Sequence, residues 1–281
     1  MKKCPYCGAE YPDDVTACAI DTQILLEHPP KPKAEPAAVP APAANPAGKV
    51  PTLIWPDYRW SSRDAWKCIG IIICFEFIRL GIDHVVYLAF PTFYGSSIGF
   101  LFRRIFVFAT WTITACYFAR TETFDAFLRA FGFDRRPTGY AWFGITMVLL
   151  LRLSTHLMFA HHLGPGVYNY ELTAFRKTFG PEKWLFQFSP LILAPLFEEA
   201  VNRGFLYKAF RQSCSMPVSM IVMVAWTCWT HWGYYYESWI AALELSVWTV
   251  LQCYLREKSN SLWDCVLTHF VSNAIILFWA A

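Results

Sequence analysis

Residues 194–204 read Ala-Pro-Leu-Phe-Glu-Glu-Ala-Val-Asn-Arg-Gly and place two carboxylates and a guanidinium inside an apolar stretch. A charged residue at the centre of a membrane helix costs about 2.5–3.5 kcal/mol on insertion scales. Glu199 and Arg203 are four residues apart, so on an α-helix they share a face and can pair. Glu198 points about 100° away, towards the face of Asn202. The spacing therefore predicts one carboxylate in an ion pair and one left for chemistry.

The sequence around this stretch has the composition of a membrane protein. The chain has 281 residues, of which 56% are hydrophobic and only 16% charged, whereas soluble domains average about 25% charged residues. Runs of about 20 mostly apolar residues are typical of transmembrane helices. We predict an all-α, polytopic transmembrane bundle of about seven spans, at residues 66–90, 98–119, 140–160, 184–207, 217–235, 238–256 and 261–281.

Lysine and arginine alternate between the loops of this bundle. They precede the first span and occupy the second, fourth and sixth loops, whereas the first and fifth loops are nearly free of them. Because cytoplasmic loops carry the excess of basic residues, we predict a multi-pass protein of the cell membrane with a cytoplasmic N-terminus. Arg176, Lys177 and Lys183 in the third loop fit this alternation less well. The net charge of +3 is small and not arranged as a nucleic-acid footprint, so no nucleic-acid partner is expected.

Residues 1–28 carry a separate pattern, C-x2-C-x10-C-x2-D. Two thiolates on one tight turn suit tetrahedral zinc, and metal binding can supply the folding energy that so short a module lacks. The pattern resembles the zinc-ribbon leaders of prokaryotic membrane proteins, although an aspartate stands where a fourth cysteine is usual. A degenerate ribbon without metal is the alternative. A Pro/Ala-rich linker at 29–56 separates the module from the membrane domain at 57–281. The predicted zinc ligands are Cys4, Cys7, Cys18 and Asp21.

Two histidines and an asparagine lie in the later apolar stretches. His231 is in the fifth predicted span, surrounded by tryptophans. His269 and Asn273 are four residues apart in the last span, so they lie on one helical face. Taken singly, each has an ordinary structural explanation as a packed polar side chain.

Taken together, these residues resemble the CPBP family of intramembrane proteases, which contains type II CAAX prenyl proteases and bacteriocin-processing, lysostaphin-resistance-A-like proteins. The resemblance covers roughly residues 180–281. The family's FxxxH motif reads here as Thr227-x3-His231, with the aromatic Trp226 one place earlier. The EExxxRG and HxxxN motifs match as Glu198, Glu199, Arg203, Gly204, His269 and Asn273.

The resemblance implies an intramembrane endopeptidase that acts on a peptide or protein substrate in the bilayer. The active site would be built around Glu198, Glu199, His231, His269 and Asn273. Glu198 would be the general base, and His231 would help to hold the water. His269 and Asn273 would donate to the oxyanion of the tetrahedral intermediate. Arg203 would pair with Glu199 and orient the helix.

Three alternatives stay open at this point. Glu198, His231 and His269 could hold a catalytic zinc with water in the fourth position, although the sequence lacks HExxH. The chain could be an inactive membrane scaffold whose N-terminal module recruits a protein partner. It could also line an ion or proton pathway. A pathway predicts continuous polar faces across several spans, whereas the polar residues of this sequence cluster in three late spans.

Overall fold

The computed structural model describes residues 2–3, 10–11, 15, 60–162, 187–232 and 239–279, without the side chains of 2–3, 10–11, 97, 158–162 and 278–279. The chain divides into two units, Met1–Ile54 and Trp55–Ala281. In the first unit, strands β1 (Lys2–Lys3) and β2 (Glu10–Tyr11) pair antiparallel. The linker at 29–56 and the predicted zinc ligands Cys4, Cys7, Cys18 and Asp21 lie outside the described residues.

The described part of the second unit is built from helices. A continuous helical run at residues 189–211 carries the EExxxRG motif, and we call it the site helix. It consists of π1 (Ser189–Leu193), α6 (Ala194–Glu199), π2 (Ala200–Leu206) and α7 (Tyr207–Arg211). The helices before it are α1 (Ser62–Ala89), α2 (Pro91–Gly95), α3 (Ser97–Ala119), α4 (Phe124–Phe131) and α5 (Gly139–His162). Those after it are α8 (Met216–Thr230), α9 (Trp239–Ser259) and α10 (Leu262–Trp279).

Each of the seven predicted spans overlaps one of these helical segments. Two helices, Ile98–Ala119 and Gly139–Leu157, are long and apolar enough to cross a membrane by length and composition. Two shorter apolar helices, Met216–Thr230 and Leu262–Leu277, accompany them. The short helices α2 and α4 were not predicted from the sequence.

Local sequence explains where α1 and α4 begin. Ser61 Oγ accepts a hydrogen bond from the N–H of Asp64, whose carboxylate accepts one from the N–H of Ser61, so the two form a capping box. Thr123 caps α4 in the same way by accepting from the N–H of Ala126. These caps satisfy N–H groups that the first turn of a helix cannot bond internally.

Helix α4 packs against the site helix at the glycine of the EExxxRG motif. A Cβ atom at Gly204 would come within 2.8 Å of the Phe131 ring, so only glycine permits this approach. The buried guanidinium of Arg256 on α9 donates to the carbonyls of Phe131, at 3.0 Å, and Arg203, at 3.3 Å. Arg256 thereby ties α9 to both α4 and the site helix.

Candidate active site

The helix that carries the two glutamates is not a regular α-helix. Glu198 and Glu199 end the short segment α6, and π-helical turns lie on both sides of it. Such turns are rare and often occur at functional sites. In the sequence, the prolines at 190 and 195 were the available signal for the first of them, because each removes a backbone donor from the helix.

Glu199 is the buried centre of a polar cluster. Its Oε1 lies 3.2 Å from Arg203 Nη1 and 2.8 Å from His269 Nδ1. Glu199 and Arg203 are both 0% exposed and His269 is 5% exposed. The ion pair within the site helix is the one that the spacing of four residues predicts. The contact between Glu199 and His269 was not predicted, since it joins residues 70 positions apart.

Trp248 on α9 packs against this cluster from the side. Its ring meets the His269 imidazole edge-on, with centroids 4.8 Å apart, and the Arg203 guanidinium carbon lies 5.0 Å from the Trp248 ring centroid. A cation near an aromatic face is stabilised by the ring's quadrupole. Trp248 is a site residue that the sequence analysis did not identify, because nothing in its local pattern distinguishes it from other tryptophans in the spans.

Glu198 differs from its neighbour in both burial and bonding. Its side chain is half-buried, whereas Glu199 is fully enclosed. Within the described part of the chain, its carboxylate forms no hydrogen bond or ion pair, and neither imidazole contacts it in that way. The two consecutive glutamates therefore have different surroundings. The carboxylate of Glu199 is bonded to its neighbours, whereas that of Glu198 has no such partner among the described residues.

His231 ends helix α8 and is half-buried. Its Nδ1 lies 3.0 Å from the Thr227 carbonyl oxygen and 3.1 Å from Thr230 Oγ1. Because a carbonyl can only accept, the Thr227 contact favours a proton on Nδ1 and a lone pair on Nε2. Thr227, which occupies the phenylalanine position of the family motif, thus contacts the histidine through its backbone.

Asn273 donates from Nδ2 to the carbonyl of Pro190 at 2.7 Å. In an α-helix this carbonyl would be bonded by the N–H of Ala194, but that group donates to Ser189 instead. In the π register the next donor would be residue 195, which is a proline without an N–H. The side chain of Asn273 therefore supplies a bond that the π-helical turn leaves unmade.

Asn202 lies four residues after Glu198 and is 4% exposed. Its Oδ1 accepts a hydrogen bond from Trp226 Nε1 at 2.8 Å. The Trp226 ring stacks on Trp229 at 5.3 Å and packs against Trp111 at 5.8 Å. The aromatic residue that precedes the family position thus has a defined role, which is to anchor the site helix to α8.

The described residues do not assemble the zinc site considered from the sequence. No group of three or more His, Cys, Asp or Glu side chains among them is placed to hold a metal ion. Glu198, His231 and His269, as the structure places them, therefore do not fit a shared zinc ion.

One comparison with known proteins gave a match, and the matched residues include those of the candidate site. Residues 180–275 match the model of the family described as type II CAAX prenyl endopeptidase Rce1-like. Searches of curated proteins and of solved structures gave no match. The matched range contains all three motifs on which the resemblance depended, so that prediction is confirmed. Residues 180–275 are therefore similar to the Rce1-like type II CAAX prenyl endopeptidase family.

Proposed function

We propose that this chain is an intramembrane endopeptidase that hydrolyses peptide bonds with a water activated by Glu198. The observation that carries the proposal is the contrast between two adjacent carboxylates. Glu199 is fully buried and bonded to Arg203 and His269, whereas Glu198 is half-buried and uncommitted within the described residues. A general base must reach a water molecule and must not be held in an ion pair.

In this mechanism Glu198 takes a proton from the attacking water, and His231 holds that water. Since Nδ1 of His231 faces the Thr227 carbonyl, its Nε2 keeps a lone pair and accepts a hydrogen bond from the water. Proton transfer to a positioned carboxylate contributes typically about 10²–10⁴-fold to the rate. The same carboxylic acid then returns the proton to the departing amine.

His269 and Asn273 would stabilise the oxyanion of the tetrahedral intermediate. With Nδ1 of His269 donating to Glu199, the Nε2 atom donates to an oxyanion only when the imidazole is protonated. The proposed mechanism therefore uses the imidazole with a proton on each ring nitrogen. Asn273 uses one N–H for Pro190, and its second N–H is available for the oxyanion.

No step of this mechanism passes through a metal, because the described side chains do not form a three-ligand cluster. We propose that zinc binds the N-terminal module instead. The spacing there is that of zinc ligands, and the ligands would be Cys4, Cys7, Cys18 and Asp21. Metal analysis of a peptide of residues 1–28 under reducing conditions should find one zinc per chain. A peptide without stoichiometric zinc would leave only the degenerate-ribbon alternative.

We also propose that all seven helical segments cross the bilayer. Large apolar side chains are exposed along α1 and α3, among them Phe77, Val85, Leu88, Phe102 and Ile113, and lipid would cover them. With the basic loops in the cytoplasm, the N-terminus lies inside and the C-terminus outside. Reporter fusions at residue 137 and at the C-terminus should then report opposite sides.

The substrate in this proposal is a peptide segment that reaches the site from the membrane. The matching family is described as CAAX prenyl endopeptidases; for this chain we propose the coarser class of membrane-associated peptides. The alternative of an inactive scaffold is disfavoured, because every motif side chain with a catalytic role in the proposal is present.

The experiment is hydrolysis of a peptide library by purified protein in lipid nanodiscs. The wild-type chain should cleave, and Glu198→Gln should reduce the rate by at least about 10²-fold, the usual worth of a general base. Ser154→Ala is a matched control, since that hydroxyl on α5 is exposed and, among the described residues, donates to the Leu151 carbonyl of its own helix. Cleavage by Glu198→Gln at the wild-type rate would contradict the proposal.

A further inference from the structure

Helix α10 presents two neighbouring faces that are offset by one residue. The first carries His269 and Asn273, which bond the site helix. The second carries Thr268 and Ser272, each one residue earlier in the chain. Because successive residues of an α-helix are about 100° apart, any contact that fixes the second face also fixes the rotation of the first.

The second face lies against α5 and the residue just before it, Thr138, at three successive points. At the first, the N–H and Oγ1 of Thr138 donate to the Asp264 carboxylate at 2.8 and 2.6 Å. At the second, a Cβ at Gly144 would meet Thr268 Oγ1 at 2.5 Å. At the third, Arg152 Nη2 donates to Ser272 Oγ at 2.9 Å. The contacted residues of α10 are Asp264, Thr268 and Ser272, which are spaced by four. Because the residue numbers increase in the same direction along both helices, α5 and α10 run parallel.

Among Thr138, Gly144 and Arg152, only Arg152 carries a charge, and it lies in a helix apolar enough to cross a membrane. Its Nη1 lies 2.5 Å from Glu244 Oε1 on α9. The side chains are 17% and 7% exposed, so the pair is largely enclosed. An ionisable group in a membrane helix is costly and needs such a partner. The planar guanidinium then reaches two helices at once, α9 through Glu244 and α10 through Ser272.

We propose that Arg152 is a positioning residue of the active site. Held by Glu244, its guanidinium fixes the rotation of α10 through Ser272 and thereby sets the placement of His269 and Asn273. Arg152 lies outside the range that matches the family, residues 180–275. The kinetic consequence rests on the proposed peptidase function, whereas the structural consequence does not.

The size of the effect follows from the geometry of a helix. Side chains reach about 5–6 Å from the helix axis, so a rotation of about 10° moves an imidazole by about 1 Å. A misplacement of about 1 Å can cost roughly 10²-fold in rate. Loss of one hydrogen bond should permit a smaller rotation, so we expect a fall of roughly 10-fold.

The sharpest test is Ser272→Ala, which removes the acceptor on α10 and leaves the Arg152–Glu244 pair intact. The kcat for peptide hydrolysis should fall roughly 10-fold, while KM and the melting temperature change little, because binding and packing are retained. Ser219→Ala is the matched control. Ser219 is also fully buried, but its hydroxyl donates within its own helix to Ser215, so kcat should stay at the wild-type value.

A second variant examines the guanidinium itself. Arg152→Lys keeps the charge beside Glu244 but cannot contact both partners with a planar fork, so it should lower kcat to a similar extent as Ser272→Ala. The double variant Arg152→Lys with Ser272→Ala should be no slower than either single variant, since both remove the same link. Wild-type kcat in both single variants, or losses that only follow the fraction of folded protein, would overturn the proposal.

A spectroscopic measurement separates this proposal from the peptidase function. In protein with ¹⁵N-labelled histidine, the His269 signals can be assigned by their loss in His269→Gln. Ser272→Ala should shift them and Ser219→Ala should not, whether or not any peptide is cleaved. Unchanged His269 signals in Ser272→Ala would overturn the positioning role, whereas absence of hydrolysis by the wild-type chain would count against the peptidase alone.

Discussion

Glu199 and His269 are joined by a 2.8 Å hydrogen bond that connects the first and last motifs of the site. The bond places a buried carboxylate beneath an imidazole and lies next to the Glu199–Arg203 ion pair. Because removing one partner of a buried ion pair leaves an uncompensated charge, the carboxylate of Glu199 supports the fold as well as the histidine. The carboxylate of Glu198, one residue earlier, forms no hydrogen bond or ion pair with the described residues.

This difference predicts opposite outcomes for the two glutamates. Glu199→Ala leaves Arg203 buried without its carboxylate and should lower the free energy of unfolding by about 3–5 kcal/mol. Glu198→Ala removes a half-buried, uncommitted group and should change it by less than about 1 kcal/mol. Thermal unfolding in detergent compares the two. Equal losses of stability would contradict the division of roles.

Trp226 should stabilise the site helix through its hydrogen bond rather than its ring alone. Trp226→Phe keeps an aromatic ring but leaves the buried Asn202 Oδ1 without its donor. An unsatisfied buried acceptor costs about 1–3 kcal/mol, so thermal unfolding should show a loss of that size.

Trp229→Phe provides the control for this prediction. Trp229 stacks on Trp226, but its side chain is 38% exposed, so the smaller ring should cost less than about 1 kcal/mol. A loss in Trp226→Phe no greater than in Trp229→Phe would mean that the hydrogen bond to Asn202 is unimportant.

The close approach of α5 to α10 predicts a contrast between two glycines of one helix. Gly144→Ala would place its Cβ 2.5 Å from Thr268 Oγ1 and 2.6 Å from Leu255 Cδ1. Overpacking of this kind costs typically about 1–3 kcal/mol. A Cβ at Gly139 meets nothing within 4 Å, so Gly139→Ala should be neutral or stabilising. Equal melting temperatures for the two variants would contradict the tight contact.

The positions of the long helices and the Glu199–Arg203 pair could be predicted from the sequence, because both depend on local pattern. Long apolar runs define a helix wherever it packs, and a spacing of four residues defines a shared face. The contact of His269 with Glu199 could not be predicted, since it depends on how separate helices are rotated against each other. The π-helical turns could not be predicted from a pattern of 3.6 residues per turn, because they depart from that period.

The last prediction concerns Asn273, which has two roles that mutation can separate. Its Nδ2 supplies the Pro190 carbonyl with a bond, and in the proposed mechanism its amide also stabilises the oxyanion. Asn273→Ala should therefore lower both stability, by about 1–3 kcal/mol for the unsatisfied carbonyl, and kcat, by roughly 10²–10³-fold for a lost oxyanion donor.

Pro195→Ala restores a backbone N–H at the residue that the π register would use. In the double variant Pro195→Ala with Asn273→Ala, the new N–H can bond the Pro190 carbonyl, so stability should recover by about 1 kcal/mol or more. The rate should not recover, because a backbone bond inside the helix offers nothing to the oxyanion. A cycle of the four proteins, measured by thermal unfolding and by kcat, gives the coupling for each property. Recovery of the rate together with stability would show that Asn273 acts only through the helix that it supports.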